Sequence, residues 1–146
     1  MAHQEATRKR FDDLNLSLDT KGWILKRSGL NYVILEKSER NPTPRMVIGC
    51  RIKENDIIKE SERVRHYQED HQLGILSDLL EIKINTFEGY YWTIKSNALI
   101  TTWYKLKDPT NSKHWCLTIY IERDKREIEK YENEIRSILD SINLIS

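Results

Sequence analysis

The chain has 146 residues, with 24 Lys and Arg against 23 Asp and Glu and a formal net charge of +1. This balance argues against a general nucleic-acid-binding protein, which carries a basic excess or a basic stripe. A chain of this length forms one hydrophobic core, so we expect a single domain over residues 1–146.

The first residues are charged, and no apolar segment of a secretory signal follows them. Residues 1–12 are therefore predicted to form an N-terminal arm that is either flexible or helical. The sequence contains no run of about 18 apolar residues that could span a membrane. We expect a cytoplasmic protein, although a periplasmic or lipoprotein form with its signal removed would have the same sequence.

Apolar alternation predicts strands in the first part of the chain, at residues 14–18, 23–27, 32–36 and 45–53. Ser28-Gly29 is a candidate hairpin turn and residues 41–44 a proline-containing loop. In the fourth strand, Met46, Ile48, Cys50 and Ile52 are expected to share one face.

Residues 55–71 have a helical pattern, with Asn55 or Asp56 as the N-cap. The apolar stripe of this helix is thin, so we expect it to lie on the sheet with most of its surface in water. That stripe consists of Ile57, Ile58, Val64 and Tyr67.

The second part of the chain predicts strands at residues 79–86, 90–95, 99–107 and 114–122, then a long amphipathic helix over residues 124–142. Short connections between strands favour antiparallel neighbours. The predicted fold class is therefore α+β, a single-domain sandwich with a mainly antiparallel sheet of about six to eight strands, one mid-chain helix and a long C-terminal helix. The last helix buries a face made of Ile128, Tyr131, Ile135, Ile138, Leu139 and Ile142.

Tests for known chemistry give no catalytic residue, metal site or cofactor. His66 and His71 are separated by about 140° on a helix, unsuited to a shared metal ion. Cys50 is expected to be a buried thiol, and Cys116 lies beside His114 on a strand without a third orienting group. The scattered glycines form no phosphate-binding loop.

Aromatic residues are concentrated in the later strands. The simpler interpretation is that they pack in the core and as cross-strand pairs. In the alternative, some of them line an open sheet face or groove for a protein partner, because Trp and Tyr are favoured binding residues. The candidate partner-binding residues are Tyr91, Trp103, Trp92, Tyr104 and Lys105.

The order of elements resembles the Mog1/PsbP/DcrB-like family of α/β/α sandwiches. The stretch from Leu14 through Asp19-Thr20-Lys21-Gly22-Trp23 is similar to the strand–turn–Trp start of that family, and the helix from Tyr131 to Ile142 is similar to its C-terminal helix. The resemblance implies a mostly non-catalytic function, since members include photosystem assembly factors, a Ran-binding protein, bacterial lipoproteins and cytoplasmic chaperones of type VI secretion effectors. No functional residue of the family transfers to this chain.

The leading hypothesis is a cytoplasmic, non-enzymatic adaptor or chaperone-like module that binds another protein, such as an effector or a hydrophobic helix. The alternative is a carrier of a lipid or other hydrophobic ligand, or an enzyme, with a START-like cavity beneath the sheet. No nucleic-acid partner or membrane span is expected. The chain is either a monomer or a homodimer, and a purely oligomerising domain would pair through an edge strand or the aromatic residues.

Overall fold

The structure is a computed structural model that describes residues 7–28, 32–40 and 43–145. Two 3-10 turns, Asp12–Leu14 and Lys125–Glu127, accompany the strands and helices. In chain order these elements are β1 (Arg8–Phe11), β2 (Leu16–Asp19), β3 (Ile24–Ser28), β4 (Tyr32–Glu36), β5 (Arg45–Lys53), α1 (Ile57–Asp70), β6 (Ile75–Leu76), β7 (Leu80–Ile84), β8 (Phe87–Lys95), β9 (Leu99–Lys107), β10 (Trp115–Asp124), α2 (Glu132–Asp140) and β11 (Asn143–Leu144).

An eight-stranded sheet forms the centre of the fold. Its strand order is β3-β4-β5-β10-β9-β8-β6, and β7 also pairs with β8. Every strand pairing of the described residues is antiparallel. Because β6 and β7 pair with successive parts of β8, they form one interrupted edge strand. The predicted α+β class with a mainly antiparallel sheet is confirmed.

One face of the large sheet, here called the core face, carries the hydrophobic core. Ile48, Leu106 and Ile119 from three of its strands are buried there. The three-stranded sheet β1-β2-β11 and α2 cover this face, and Leu16 and Ile138 from these covering elements belong to the same cluster. Alternation of apolar side chains along the strands thus places a full layer beneath α2.

The opposite face, here called the α1 face, is covered by α1 above β8 and β9. Asp56 caps the helix, because its carboxylate accepts a hydrogen bond from the Lys59 backbone N–H at 3.1 Å. The predicted apolar stripe is wrong in part, since Ile58 and Tyr67 are exposed. The residues that α1 buries are Ile57, Glu60, Ser61 and Gln68.

The described residues contain eleven strands, more than predicted. Residues 8–11 form β1, so the predicted flexible or helical arm is wrong for that segment. The short strands β6 and β11 were also missed, because their few residues show no usable alternation. Residues 1–6, Gly29 of the candidate hairpin turn and residues 41–42 of the predicted loop lie outside the described residues.

The C-terminal helix is shorter than predicted, with nine residues in α2. Strand β10 continues to Asp124, whose carboxylate accepts a hydrogen bond from the Arg126 backbone N–H at 2.9 Å. This bond closes a tight turn where the prediction began the helix. The predicted apolar face is still buried at Ile135, Ile138 and Leu139. Neither described helix is long and apolar enough to cross a membrane.

A bulge in β5 changes the face of Ile52. Cys116 of β10 lies opposite Ile52, whereas Thr118 lies opposite Gly49, so β5 has one extra residue between these pairs. Met46 remains buried on the core face, but Ile52 emerges on the α1 face with 51% of its surface exposed. The prediction that Ile52 shares the face of Met46 is therefore wrong.

Candidate functional site

The residues predicted to bind a partner do not form one surface. Tyr91 and Tyr104 lie on the core face, and Trp92, Trp103 and Lys105 lie on the α1 face. Side chains on opposite faces of a sheet cannot contact one partner surface together. The predicted set therefore divides into two groups with different surroundings.

Tyr104 is buried beside α2, and burial raises the pKa of its phenol. Next to it, the Arg123 guanidinium donates to both oxygens of Glu132 at 2.8 and 3.2 Å and to the Thr102 hydroxyl at 3.2 Å. These bonds join β9 and β10 to the first turn of α2. Tyr91 stacks on Tyr104 with 6.0 Å between ring centroids and stays partly exposed. Of these two tyrosines, Tyr91 is the one that a partner can reach.

On the α1 face, Trp92 is fully buried beneath the helix. Its indole N–H donates a hydrogen bond to the Gln68 side-chain oxygen at 2.7 Å. Trp103 stacks on Trp92 and, at a centroid distance of 4.6 Å, on Tyr120. Trp92 therefore anchors α1, while Trp103 is partly exposed at the side of the helix.

Lys105 is buried in an ion pair and is not available to a partner. Its ammonium donates to Glu60 Oε2 and to the Thr118 hydroxyl, both at 2.9 Å. Arg63 donates two further hydrogen bonds to the Glu60 carboxylate. Burial opposes ionisation of Glu60, but hydrogen bonds and charges from Lys105 and Arg63 outweigh it and lower the pKa of that carboxyl. This cluster holds α1 on the sheet.

Both cysteines are free and buried. Burial raises the pKa of the Cys50 thiol to about 12, and the proximity of Cys116 adds to that shift. Burial also raises the pKa of Cys116, although Lys105 and Thr118 act in the opposite direction. A raised pKa keeps a cysteine as the unreactive thiol. The predicted buried thiol at Cys50 is confirmed, and Cys116 has the same character.

The histidines of α1 and its C-terminus make local contacts. His66 lies 3.3 Å from the Asp70 carboxylate, and His71 stacks on Tyr67 with 3.9 Å between ring centroids. Within the described ranges, no group of three or more His, Cys, Asp and Glu residues is placed to hold a metal ion.

An apolar corner of the core face beside α2 is left uncovered by the described residues. We call it the corner patch, and it consists of Ile75, Leu80, Tyr91, Thr93 and Ile100. Cross-strand register places these side chains on one face, since Leu80 lies opposite Tyr91, and Lys95 lies opposite both Ile75 and Ile100. Ile75 is 76% exposed and Leu80 is 47% exposed. The core face thus changes from buried at β10 to open at β6 and at the start of β7, whereas Ile84 at the end of β7 is buried.

One exposed cationic side chain, Lys95, borders the corner patch. Lys95 lies between Ile75 and Ile100 on the core face. It forms no ion pair with another described residue. The patch is therefore apolar at its centre and positive at its border.

The sequence prediction missed Ile75 and Leu80 because it considered only Trp and Tyr residues and their neighbour Lys105. A signal was present, since the segment between α1 and β7 holds Leu73, Ile75, Leu76 and Leu79 without a regular alternation. Apolar residues outside a strong periodic pattern mark either a short edge strand or an exposed contact. In this chain they mark both.

An open groove of about 580 Å³ lies on the α1 face, between the first turn of α1 and the β7–β8 hairpin. The Lys107 ammonium donates to the backbone carbonyl of Asn55 at 3.2 Å across one end of it. Lys83 and Glu88 form an exposed ion pair at 3.2 Å along its wall. The apolar part of its lining includes Ile57, Ile58 and Tyr90.

No family model matches the sequence, and no curated protein is similar to it in sequence. Solved structures are similar in fold. A crystal structure from Bacteroides thetaiotaomicron VPI-5482 aligns with a TM-score of 0.59 and 11% identity, covering 94% of this chain and 48% of that one. The present chain thus spans about half the length of that protein.

The solution structure of cyanobacterial PsbP (CyanoP) from Synechocystis sp. PCC 6803 aligns with a TM-score of 0.55 and 9% identity. This alignment covers 94% of the present chain and 91% of CyanoP. The fold is PsbP-like. At such identities the likeness concerns the fold alone, which agrees with the architecture that the sequence resemblance implied.

Proposed function

We propose that this chain is a non-enzymatic protein-binding module that holds an apolar segment of a partner protein on the corner patch. The observation that carries the proposal is the exposure of Ile75 and Leu80 next to Tyr91 on the core face. Contiguous exposed apolar side chains bordered by charge mark interaction sites on protein surfaces. Tyr91 adds a rigid aromatic contact with little loss of side-chain entropy.

The surroundings of the patch define the chemistry of the partner. Arg123 links the start of α2 to β9 and β10, so an amphipathic helix beside α2 would continue the same layer over β8 and the edge strands. Lys95 at the border favours a carboxylate next to the apolar side chains of that helix. The occupant is therefore an amphipathic segment of another protein with an acidic border.

A cytoplasmic adaptor or chaperone is the more specific form of this proposal. Its support is the sequence resemblance to the Mog1/PsbP/DcrB-like family, whose effector chaperones shield hydrophobic helices. Of the predicted partner-binding residues, Tyr91 belongs to the corner patch. Trp103 lies on the other sheet face and takes no part in this proposal.

Selection from a displayed library of helical peptides tests the proposal without a known partner. We expect the peptides selected on the wild-type chain to share apolar positions flanked by Asp or Glu. Their affinity should fall at least about tenfold for Ile75→Ser and for Tyr91→Ala, because each removes a large apolar contact at the centre of the patch.

Tyr67→Ala is the matched control, since Tyr67 is another exposed aromatic residue and lies on α1, over the opposite face of the sheet. Circular dichroism of each variant verifies its fold. Selected peptides that bind the Ile75 and Tyr91 variants as well as the wild type, or the absence of any selected peptide, would refute the proposal.

A carrier of an amphipathic small molecule is the second candidate. The observation that favours it is the open groove, whose volume of about 580 Å³ lies in the usual range of ligand pockets. Tyr90 and Ile58 provide its apolar surface, and its charged lining has both signs, from Lys83, Lys107, Asp56, Glu81 and Glu88. A ligand in this groove would lose affinity in Tyr90→Ala and keep it in Tyr91→Ala, which separates the two candidates.

A further inference from the structure

The outer edge of β7 is unpaired by any described strand. The turn Asn85–Thr86 joins β7 to β8, and Ile84 lies opposite Phe87. In a hairpin with a two-residue turn, the closing pair exchanges backbone hydrogen bonds, and these alternate along the strand. The backbone N–H and C=O groups of Glu81 and Lys83 therefore point away from β8. They are available to another strand.

The sequence of β7 is complementary to itself. The strand reads Leu80-Glu81-Ile82-Lys83-Ile84. A two-fold axis normal to the sheet at Ile82 would place Glu81 opposite Lys83 of a second copy, and Lys83 opposite Glu81 of that copy. Leu80 would lie opposite Ile84 of the second copy on the core face. Both Glu81 and Lys83 are exposed on the α1 face.

Charge selects this register over its neighbours. A two-fold axis normal to the sheet keeps the same face of both copies on the same side, so alternative registers differ by two residues. A shift in one direction places Glu81 opposite Glu81 of the second copy. A shift in the other direction places Lys83 opposite Lys83. Like charges directly opposite each other destabilise a strand pair, whereas opposite charges stabilise it.

We propose that two copies of this chain associate through antiparallel pairing of β7, centred on Ile82. The pairing joins the two large sheets edge to edge and satisfies the outward backbone groups of Glu81 and Lys83. It also extends the existing Lys83–Glu88 ion pair with Glu81 of the second copy. Because one short strand forms the contact, the association is weak and depends on protein concentration.

This inference goes beyond the proposed function, and although both involve Leu80, the register of the pairing depends on different side chains. The corner patch presents Ile75 and Tyr91 on the core face, whereas the charges that select the β7 register lie on the α1 face. Substitutions of Glu81 and Lys83 therefore test self-association without altering the centre of the peptide-binding surface. The experiments can therefore contradict the peptide-binding proposal without contradicting self-association, or the reverse.

Sedimentation equilibrium of charge-swap variants tests the inference. The wild type should self-associate with rising concentration. Glu81→Lys and Lys83→Glu alone should each weaken association at least about tenfold, because both symmetric pairs become repulsive. An equimolar mixture of the two single variants should associate again, since the introduced lysine of one copy then faces the introduced glutamate of the other. The double variant should also recover association.

Glu129→Lys is the matched control, because it makes the same charge change on an exposed residue outside β7. Circular dichroism verifies that each variant remains folded. A wild type that stays monomeric at every concentration, single variants that associate like the wild type, or a mixture that fails to recover would each overturn the inference. High salt should weaken the wild-type association, since the new pairs are exposed to solvent.

Discussion

The two helices are held on the sheet by different interactions. The shorter helix, α2, buries only apolar side chains in its nine residues, whereas α1 buries mainly polar side chains in its fourteen. The buried residues are Ile135, Ile138 and Leu139 in α2, and Ile57, Glu60, Ser61 and Gln68 in α1. Helix length is therefore a poor measure of how a helix attaches to a sheet.

The two kinds of burial differ in how precisely they position a helix on the sheet. Apolar burial stabilises α2 in proportion to the area removed from water and tolerates small shifts. Polar contacts require defined distances and angles. The Glu60 carboxylate must lie within hydrogen-bonding distance of the Lys105 ammonium, and the Gln68 side chain within that distance of the Trp92 indole. The Arg65 guanidinium also donates to the Ser77 carbonyl at 2.8 Å. These contacts fix the position of α1 along the strands, although each adds modest net stability.

The largest expected effect comes from a cavity beneath α2. Ile138 is fully buried in the core cluster. Ile138→Ala should lower the free energy of unfolding by about 2–5 kcal/mol, because it removes apolar contacts and leaves a cavity. Urea denaturation measures the change. Ile58→Ala in α1 is the control, since Ile58 is exposed and should cost less than about 0.5 kcal/mol.

Comparable losses in both variants would contradict the distinction between the helices. Such a result would mean that Ile58 makes an apolar contact that stabilises α1, which its exposure does not predict.

A smaller effect is expected from the buried ion pair of α1. Glu60→Leu leaves the Lys105 ammonium buried, with the Thr118 hydroxyl as its remaining partner. We expect a loss of about 2–3 kcal/mol, below the usual cost of an isolated buried charge because that hydroxyl remains. Lys105→Met in the same chain should recover most of the loss. Urea denaturation of both single variants and the double variant forms the cycle.

Additive losses in the double variant would show that Glu60 and Lys105 stabilise the fold independently, contrary to their 2.9 Å contact.

The same contrast explains how much of the fold the sequence could predict. The apolar spacing of α2 identified its buried face, and regular alternation placed β4, β5 and β9 at the observed bounds. Ile57 was predicted correctly, but the rest of the buried face of α1 was missed because Glu60 and Gln68 are polar types that are mostly exposed in proteins. Their burial depends on Lys105 and Trp92, which are distant in sequence and meet them only in the folded chain.

The candidate site was predicted less well, for a related reason. Alternation correctly separated Trp92 from Tyr91, but it could not show which face α1 or α2 would cover. In the folded chain Trp92 and Tyr104 are therefore buried in the core, whereas Ile75 and Leu80 are exposed. Likewise, Ile52 changed face at a bulge that leaves no mark in the apolar pattern. Coverage and bulges depend on tertiary packing, which local periodicity does not report.

The smallest expected effect is a pH dependence confined to α1. The pKa of Glu60 lies below its ordinary value of 4.5 in the folded chain, because Lys105 and Arg63 outweigh the effect of burial. A lowered pKa in the folded state adds stability above the ordinary pKa, and that stability disappears as the pH falls through the folded value. The difference in the free energy of unfolding between the wild type and Glu60→Gln should therefore be constant above about pH 4.5 and shrink on acidification.

Urea denaturation across acidic pH measures this difference, with Glu129→Gln as an exposed control and Ile138→Ala as an apolar one. A difference between the wild type and Glu60→Gln that persists unchanged in acid would mean that ionisation of Glu60 does not hold α1 in place.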